Sequence, residues 1–282
     1  MKKHPLLLTA SVFLASTLVP AQAGDKGDLK SAIKQLAKKG NYSWTSTSKR
    51  PERPEGDGGD RSRFRSGPTE GKTVGGLIHL KSSRGDRTFE SLSKGDKAAT
   101  KGDDGWALVE PRPSADAGGG DGQRRRGSRG SRGAFLRNYK TPPVRAGELL
   151  ELVGDLKKEG DVYSGELTEE GAKSLVSFWG GRRRGGGDGG DAPAPPQPTG
   201  VKASAKFWVK DGVLTKYESV TAGKITFGDN ERDLARTTTV ELKEIGSTNI
   251  DAPDDIKTKL SAEDKPAAET EKPAKEAKAE EK

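Results

Sequence analysis

The sequence predicts an α+β fold in which an antiparallel sheet curls over a few helices. Three observations carry this. A helical repeat of apolar residues opens the patterned part of the chain, with Leu29, Ala32, Ile33, Leu36 and Ala37 on one face. Short helical patterns then cluster mid-chain instead of alternating with every strand. The last third alternates apolar and polar residues in a meander, so that one sheet face is buried and the other wet.

The elements follow in order. A helix is expected over 28–37, capped by Asp28 and stopped at Gly40-Asn41. Tyr42 to Ser48 is aromatic and β-branched, hence a strand. Three short strands follow at 74–81, 87–94 and 97–108, the last broken by a turn at Gly102-Asp103-Asp104-Gly105. Residues 134–139 and 146–153 read as short helices on either side of Thr141-Pro142-Pro143, where proline blocks continuity. Residues 156–163 form a hairpin with Gly160 in the turn, and Thr168-Glu169-Glu170 opens a helix through Phe178. Val201 to Val209 alternates with lysines, Asp211-Gly212 is a two-residue turn, and Val213–Thr221 runs back. Ile225–Phe227, a turn at 229–231 and a strand over 237–244 continue the meander, and 253–260 closes as a helix.

Composition removes many activities. The 282 residues include no Cys, one Met and two His, and 33% are charged against 30% hydrophobic. Without Cys there is no disulfide, thiolate nucleophile or Cys-ligated metal. One His lies at position 4, in a segment with the three regions of an export signal. These are a basic Met1–His4, an apolar stretch over 6–19 and an A-x-A ending at Ala23. The apolar stretch is shorter than the ~20 residues of a spanning helix. Residues 1–23 are therefore expected to be removed, and the protein to be exported to the periplasm or beyond without a transmembrane anchor. Residues 24–260 are expected to form one domain carrying Gly-, Pro- and charge-rich insertions at 50–67, 112–133 and 180–199, with a charged tail over 261–282. Such stretches bury too little to offset the entropy of ordering them.

The segment Phe207-Trp208-Val209-Lys210-Asp211-Gly212-Val213-Leu214, a later Thr-rich strand and Ile250-Asp251-Ala252-Pro253 resemble the C-terminal half of the LolA-like superfamily. That group includes bacterial lipoprotein carriers and lipid-binding lipoproteins of the LppX/LprG type. The resemblance covers roughly 60 residues, with looser support from the N-terminal helix and strand. It implies a half-barrel whose inner face holds acyl chains, although the anchoring Cys of the mycobacterial relatives is absent here. The residues expected to line such a cavity are Tyr42, Trp44, Ile78, Leu80, Phe89, Trp106, Phe207, Val240 and Leu242. On composition alone the same residues are simply core.

Other motifs weigh less. Gly67-Pro68-Thr69-Glu70-Gly71-Lys72-Thr73 imitates a phosphate loop, but Ser66 stands where the first glycine is needed and a strand follows where a helix should. The two GDGGD runs do not match calcium-loop spacing. His79 has no partner His or Cys and is expected to face solvent from its strand. Gly118–Gly133 has five Arg and one Asp, which makes Arg124, Arg125, Arg126, Arg129 and Arg132 candidates for contact with an anionic envelope surface. Aromatic residues are not interleaved with these arginines, which disfavours nucleic acid. No cofactor is expected. Two functions remain: non-catalytic binding of a lipid or acyl chain in a half-barrel cavity, or an envelope interaction module with a filled core.

Overall fold

The first helix forms because Leu29, Ala32, Ile33 and Leu36 share one face and all four are buried. In the computed structural model, which describes residues 22–50, 66–109, 136, 139–179, 198–227 and 230–262, this helix, α1, spans Gln22–Lys39. It starts earlier than its expected cap. Asp28 lies within it and carries its carboxylate 3.7 Å from Lys158 Nζ. Gly40, at φ 60°, ends the helix in the left-handed region that glycine adopts at low cost.

The strands are β1 Asn41–Lys49, β2 Ser66–Val74, β3 Leu77–Arg84, β4 Arg87–Lys94, β5 Lys97–Gly102 and β6 Gly105–Leu108. After helix α2, Pro142–Leu152, come β7 Val153–Glu159 and β8 Val162–Leu167. Helix α3, Glu169–Trp179, precedes β9 Pro198–Lys210, β10 Val213–Phe227, β11 Asn230–Lys243 and α4 Asp254–Ser261. All eleven strands join one open antiparallel sheet in the order β6-β5-β4-β3-β2-β1-β11-β10-β9-β8-β7. Within it β6 and β7 are the two edges, so the sheet does not close on itself.

Several boundaries differ from expectation, for identifiable reasons. The stretch 66–74 is a strand, β2, paired on both sides, although it was expected to be loop and imitation phosphate loop. Gly67, Pro68 and Gly71 hide its strand character, and Pro68 falls where the pairing to β3 shifts register, at a position a missing N–H can occupy. Gly75 and Gly76 make the turn that was expected to begin a strand. Helix α2 begins at Pro142 rather than 146, because proline suits the first helical turn, where N–H groups have no intrahelical partner. Strands β10 and β11 run through 227 and from 230, absorbing most of the expected polar turn. Asp211 and Gly212 both have positive φ, as a tight two-residue hairpin requires. The segment 1–21, most of the three expected insertions, and the tail from 263 lie outside the described residues.

The ladder registers define two faces. On the inner face, Trp44 of β1 lies level with Leu242 of β11, while one rung along Val240 of β11, Tyr217 of β10 and Phe207 of β9 are level; Tyr42 shares the phase of Trp44. These residues form one core with Leu29, Ile33 and Leu36 of α1, Leu149 and Leu150 of α2, and Val176 of α3. The outer face was expected to be wet throughout. At the β3–β6 end it is not. Leu92 and Ala99 project outward there and form a second cluster with Ile250, Ala252, Ile256 and Leu260, so α4 packs on the side opposite α1. Lys72, Lys94 and Lys97 hold this segment by hydrogen bonds to the Asn249 carbonyl, the Ser261 hydroxyl and the Ala262 carbonyl.

Gly71 is the narrowest point of the inner face. A Cβ there would overlap the six-membered ring of Trp44, whose indole lies flat on β2 across from it. Gly71→Ala is expected to destabilise the fold by about 1–3 kcal/mol, since a rigid buried ring must move. Equilibrium denaturation, with Trp44 emission followed in a background where the other tryptophans are Phe, checks this; an unchanged midpoint contradicts the packing described.

Candidate functional site

The inner face is where a curled sheet would hold a ligand, and along the strand direction it has two unlike halves. The half nearest α1 is aromatic. Tyr42 and Trp44 contact at 5.8 Å between ring centres, Trp44 stacks on Tyr139 at 6.3 Å, and Phe207 stacks on Tyr217 at 6.4 Å. The Arg145 guanidinium of α2 lies 5.8 Å above the Tyr139 ring, a cation–π arrangement inside the core. Thr141, at the head of α2, makes no side-chain cap bond.

Seven of the nine expected lining residues meet in this half: Tyr42, Trp44, Ile78, Leu80, Phe207, Val240 and Leu242 belong to one cluster. The other two do not join them. Trp106 sits on the outer face in the cluster under α4, because β6 pairs Trp106 with Lys101, one position out of phase with the inner side. Phe89 takes an inner-face position opposite Ser82, half-buried, away from the aromatic group. Arg124, Arg125, Arg126, Arg129 and Arg132 lie outside the described residues.

The aromatic half is filled. Phe207, Leu29, Leu36 and Leu214 have no surface accessible to water, so none of them borders an open hollow. Two clefts of about 490 and 350 Å³ flank α1 instead. The first lies between Lys26, Lys30 and Glu151 and the start of β7; the second is framed by Asp28, Lys158, Asp161 and Asp211 at two hairpin tips. The far half of the inner face carries hydroxyls: Ser46 is level with Thr69 and Ser82, while Thr238 is level with Ser48 and Ser219. Residues that the sequence did not point to include Tyr139, Arg145 and Tyr217. Arg145 was legible only as part of the Pro-Pro helix start, whose helical phase turns it inward.

On the outer face His79 was expected to face solvent, but its side chain is only 16% exposed. It packs 6.2 Å from the Trp106 ring, with Nε2 3.7 Å from a Glu90 carboxylate oxygen that also pairs with Lys101. Burial lowers its pKa below 6.5, against the opposing pull of Glu90 and with help from Lys72 and Lys101. Among the described residues no group of three or more His, Cys, Asp or Glu is arranged to hold a metal ion. Nor, among them, is any helix long and apolar enough to cross a membrane. No known family model and no curated protein sequence matches this chain.

Burial pushes the Tyr42 phenol up from 10.0 to about 12, and raises Tyr139 and Tyr217 as well. A raised phenol pKa means the unfolded chain releases the proton first. The stability these groups carry is therefore intact below pH 10 and lost as pH rises toward 12. Thermal melts are expected to show a steep fall in Tm across that window, shallower in Tyr42→Phe. In a Tyr163→Phe background, phenolate absorbance that appears near pH 10 in the folded protein would contradict the buried cluster. For His79 the sign is opposite. A depressed folded pKa withdraws stability as pH falls below 6.5, and His79→Gln is expected to flatten the acid side of the same Tm profile.

Proposed function

We propose that this protein is an exported, non-catalytic interaction module whose core is filled by its own side chains and whose surface contacts anionic partners in the cell envelope. The observation that carries this reading is the closed inner face: the residues best placed to line a lipid cavity are in contact with one another and with α1 and α2. The export signal read in residues 1–23 supplies the compartment.

Charge on the outer face supports the choice of partner. Lys202, Lys206 and Lys210 project from β9 at four-residue spacing, all exposed. Glu218, opposite Lys206, is engaged by the Thr239 hydroxyl at 2.9 Å. Four residues of strand cover about 13 Å, so the three amines form a straight row roughly 26 Å long. The arginines of 124–132 would add to it.

A second reading is favoured by shape. An open eleven-stranded antiparallel sheet with helices against its inner face fits the half-barrel of the LolA-like carriers. Acyl chains would then enter only if the α1–α2 layer lifted from Trp44 and Phe207.

Sedimentation with vesicles containing phosphatidylglycerol, at low and high salt, tests the first reading. At ~1 kcal/mol for each basic residue near an anionic surface, replacing Lys202, Lys206 and Lys210 by Gln is expected to weaken binding about 100-fold. Salt-insensitive binding, or none, removes this reading. Saturable uptake of a fluorescent fatty acid, or acyl species extracted from detergent-free protein, selects the carrier instead.

A further inference from the structure

Three apolar side chains on the outer face stand apart from both cores. Among the described residues, Val162 of β8, Trp208 of β9 and Val220 of β10 pack into neither cluster. The ladders place all three on the side of the sheet away from α1, α2 and α3. Val220 is 40% exposed, and Trp208 and Val162 are half-buried. Trp44 and Trp106, by contrast, each pack into a core. An indole buries more area than almost any other side chain, so one left at the surface is area that a partner can cover.

Trp208 sits inside the lysine row. Lys206 and Lys210, both exposed, are its same-face neighbours along β9, each about 7 Å away. Lys216 is its ladder partner on β10 and holds Nζ 4.7 Å from the centre of the ring, a cation–π contact. The same amine reaches Glu241 at 3.5 Å, which helps to fix it over the ring. Strand β9 has no acidic residue, so its outer strip from Lys202 to Lys210 holds three lysines, Ser204 and the indole. The flanking strands β8 and β10 carry one acid each. Glu166 is level with Ser204, and Glu218, level with Lys206, accepts a hydrogen bond from Thr239. The indole is thus set among three ammonium groups on the most cationic strand of this face.

We propose that Trp208, set among Lys206, Lys210 and Lys216, anchors this face to an anionic lipid surface. The lysines meet headgroup phosphates and the indole enters the headgroup layer. This assignment rests on the proposed contact of the outer face with anionic partners and makes that partner a bilayer. Three features select lipid. Tryptophan favours the membrane–water boundary, where its ring is covered and its N–H stays hydrogen-bonded. Lysine stems are long enough to keep their ammonium groups with the phosphates while the ring goes deeper. One face of the indole is taken by the Lys216 ammonium, the surface on which a sugar or base would stack. Entry among headgroups by the rim of the ring does not need that face.

Vesicles of phosphatidylglycerol mixed with phosphatidylcholine brominated near the headgroup test the anchor on the full chain. Binding is expected to require phosphatidylglycerol, and bromine is expected to quench part of the tryptophan emission, a part missing in Trp208→Ala. Trp208→Ala is expected to weaken binding about tenfold with its salt dependence still steep. Trp208→Phe, which keeps an apolar ring, should recover most of that loss. Lys206→Gln should weaken binding about fivefold and flatten the salt dependence. Thermal melts of each variant check that the fold is kept. Salt-sensitive binding that bromine does not quench, or that Trp208→Ala does not weaken, overturns the anchor and leaves the outer-face contact as a purely electrostatic one. Retention on heparin without vesicle binding, lost in Lys206→Gln, overturns it in favour of an anionic polysaccharide. Binding to neither removes the anchor and the anionic-partner reading together.

Discussion

Period-two alternation, held in phase across a single sheet, is the constraint on which the rest of this structure depends. Each strand shows one set of side chains to α1 and the other set outward, and a slip of one residue in any ladder would exchange them. Trp44 is the clearest case. It can lie flat on β2 only because Gly71, and not Lys72 or Glu70, is its ladder partner. The same phase puts Leu242 beside Trp44 and sets Phe207 against Tyr217. Stacking, burial and the raised tyrosine pKa values all follow from that register.

The sheet also explains why one chain builds two cores. From β7 through β1 the apolar cluster lies on the inner face, where α1, α2 and α3 cover it, while Trp208 and Val220 stand on the outer face. Toward β4–β6 the inner positions include Ser91, Ser93, Ala98 and Thr100, too small to fill a core alone. Apolar weight shifts to the outer positions, Leu77, Leu92, Ala99 and Trp106, and the chain returns to cover them with Ile250, Ala252 and α4. The C-terminal helix is therefore not a cap on the inner bowl. It is the second layer of the opposite face.

Function follows the same partition. A binding cavity needs apolar walls that are not already in contact, and in the aromatic half the walls touch. Away from that half the inner face carries hydroxyls, and the outer face carries a row of exposed lysines. Arg and Lys differ in their chemistry, the one a planar fork and the other a hydrated point charge. On β1–β5 and β9–β11 the lysines take outer-face positions, and Arg84, Arg87 and Arg236 take inner-face ones.

Much of the fold was legible in the residues. The alternation of Val201–Val209, the Asp211-Gly212 turn, the helical spacing in α1 and the Thr168 start of α3 each specify local structure through short-range sterics and burial. Strand β2 was not legible, because its Gly and Pro content opposes strand formation and only pairing on both sides overrides that. Seven of the residues expected to line a cavity share one inner-face cluster, as their alternation implies; the face of Trp106 was not legible, since a strand of four residues does not reveal which side it shows to the core. The sequence by itself determined the elements, their polarity and the one-sided meander, all set within a few residues of chain. Only the tertiary structure decided that the aromatic half of the interior is filled and that α4 lies on the outer face. Those depend on ladder registers between residues nearly 200 positions apart, which local preference cannot encode.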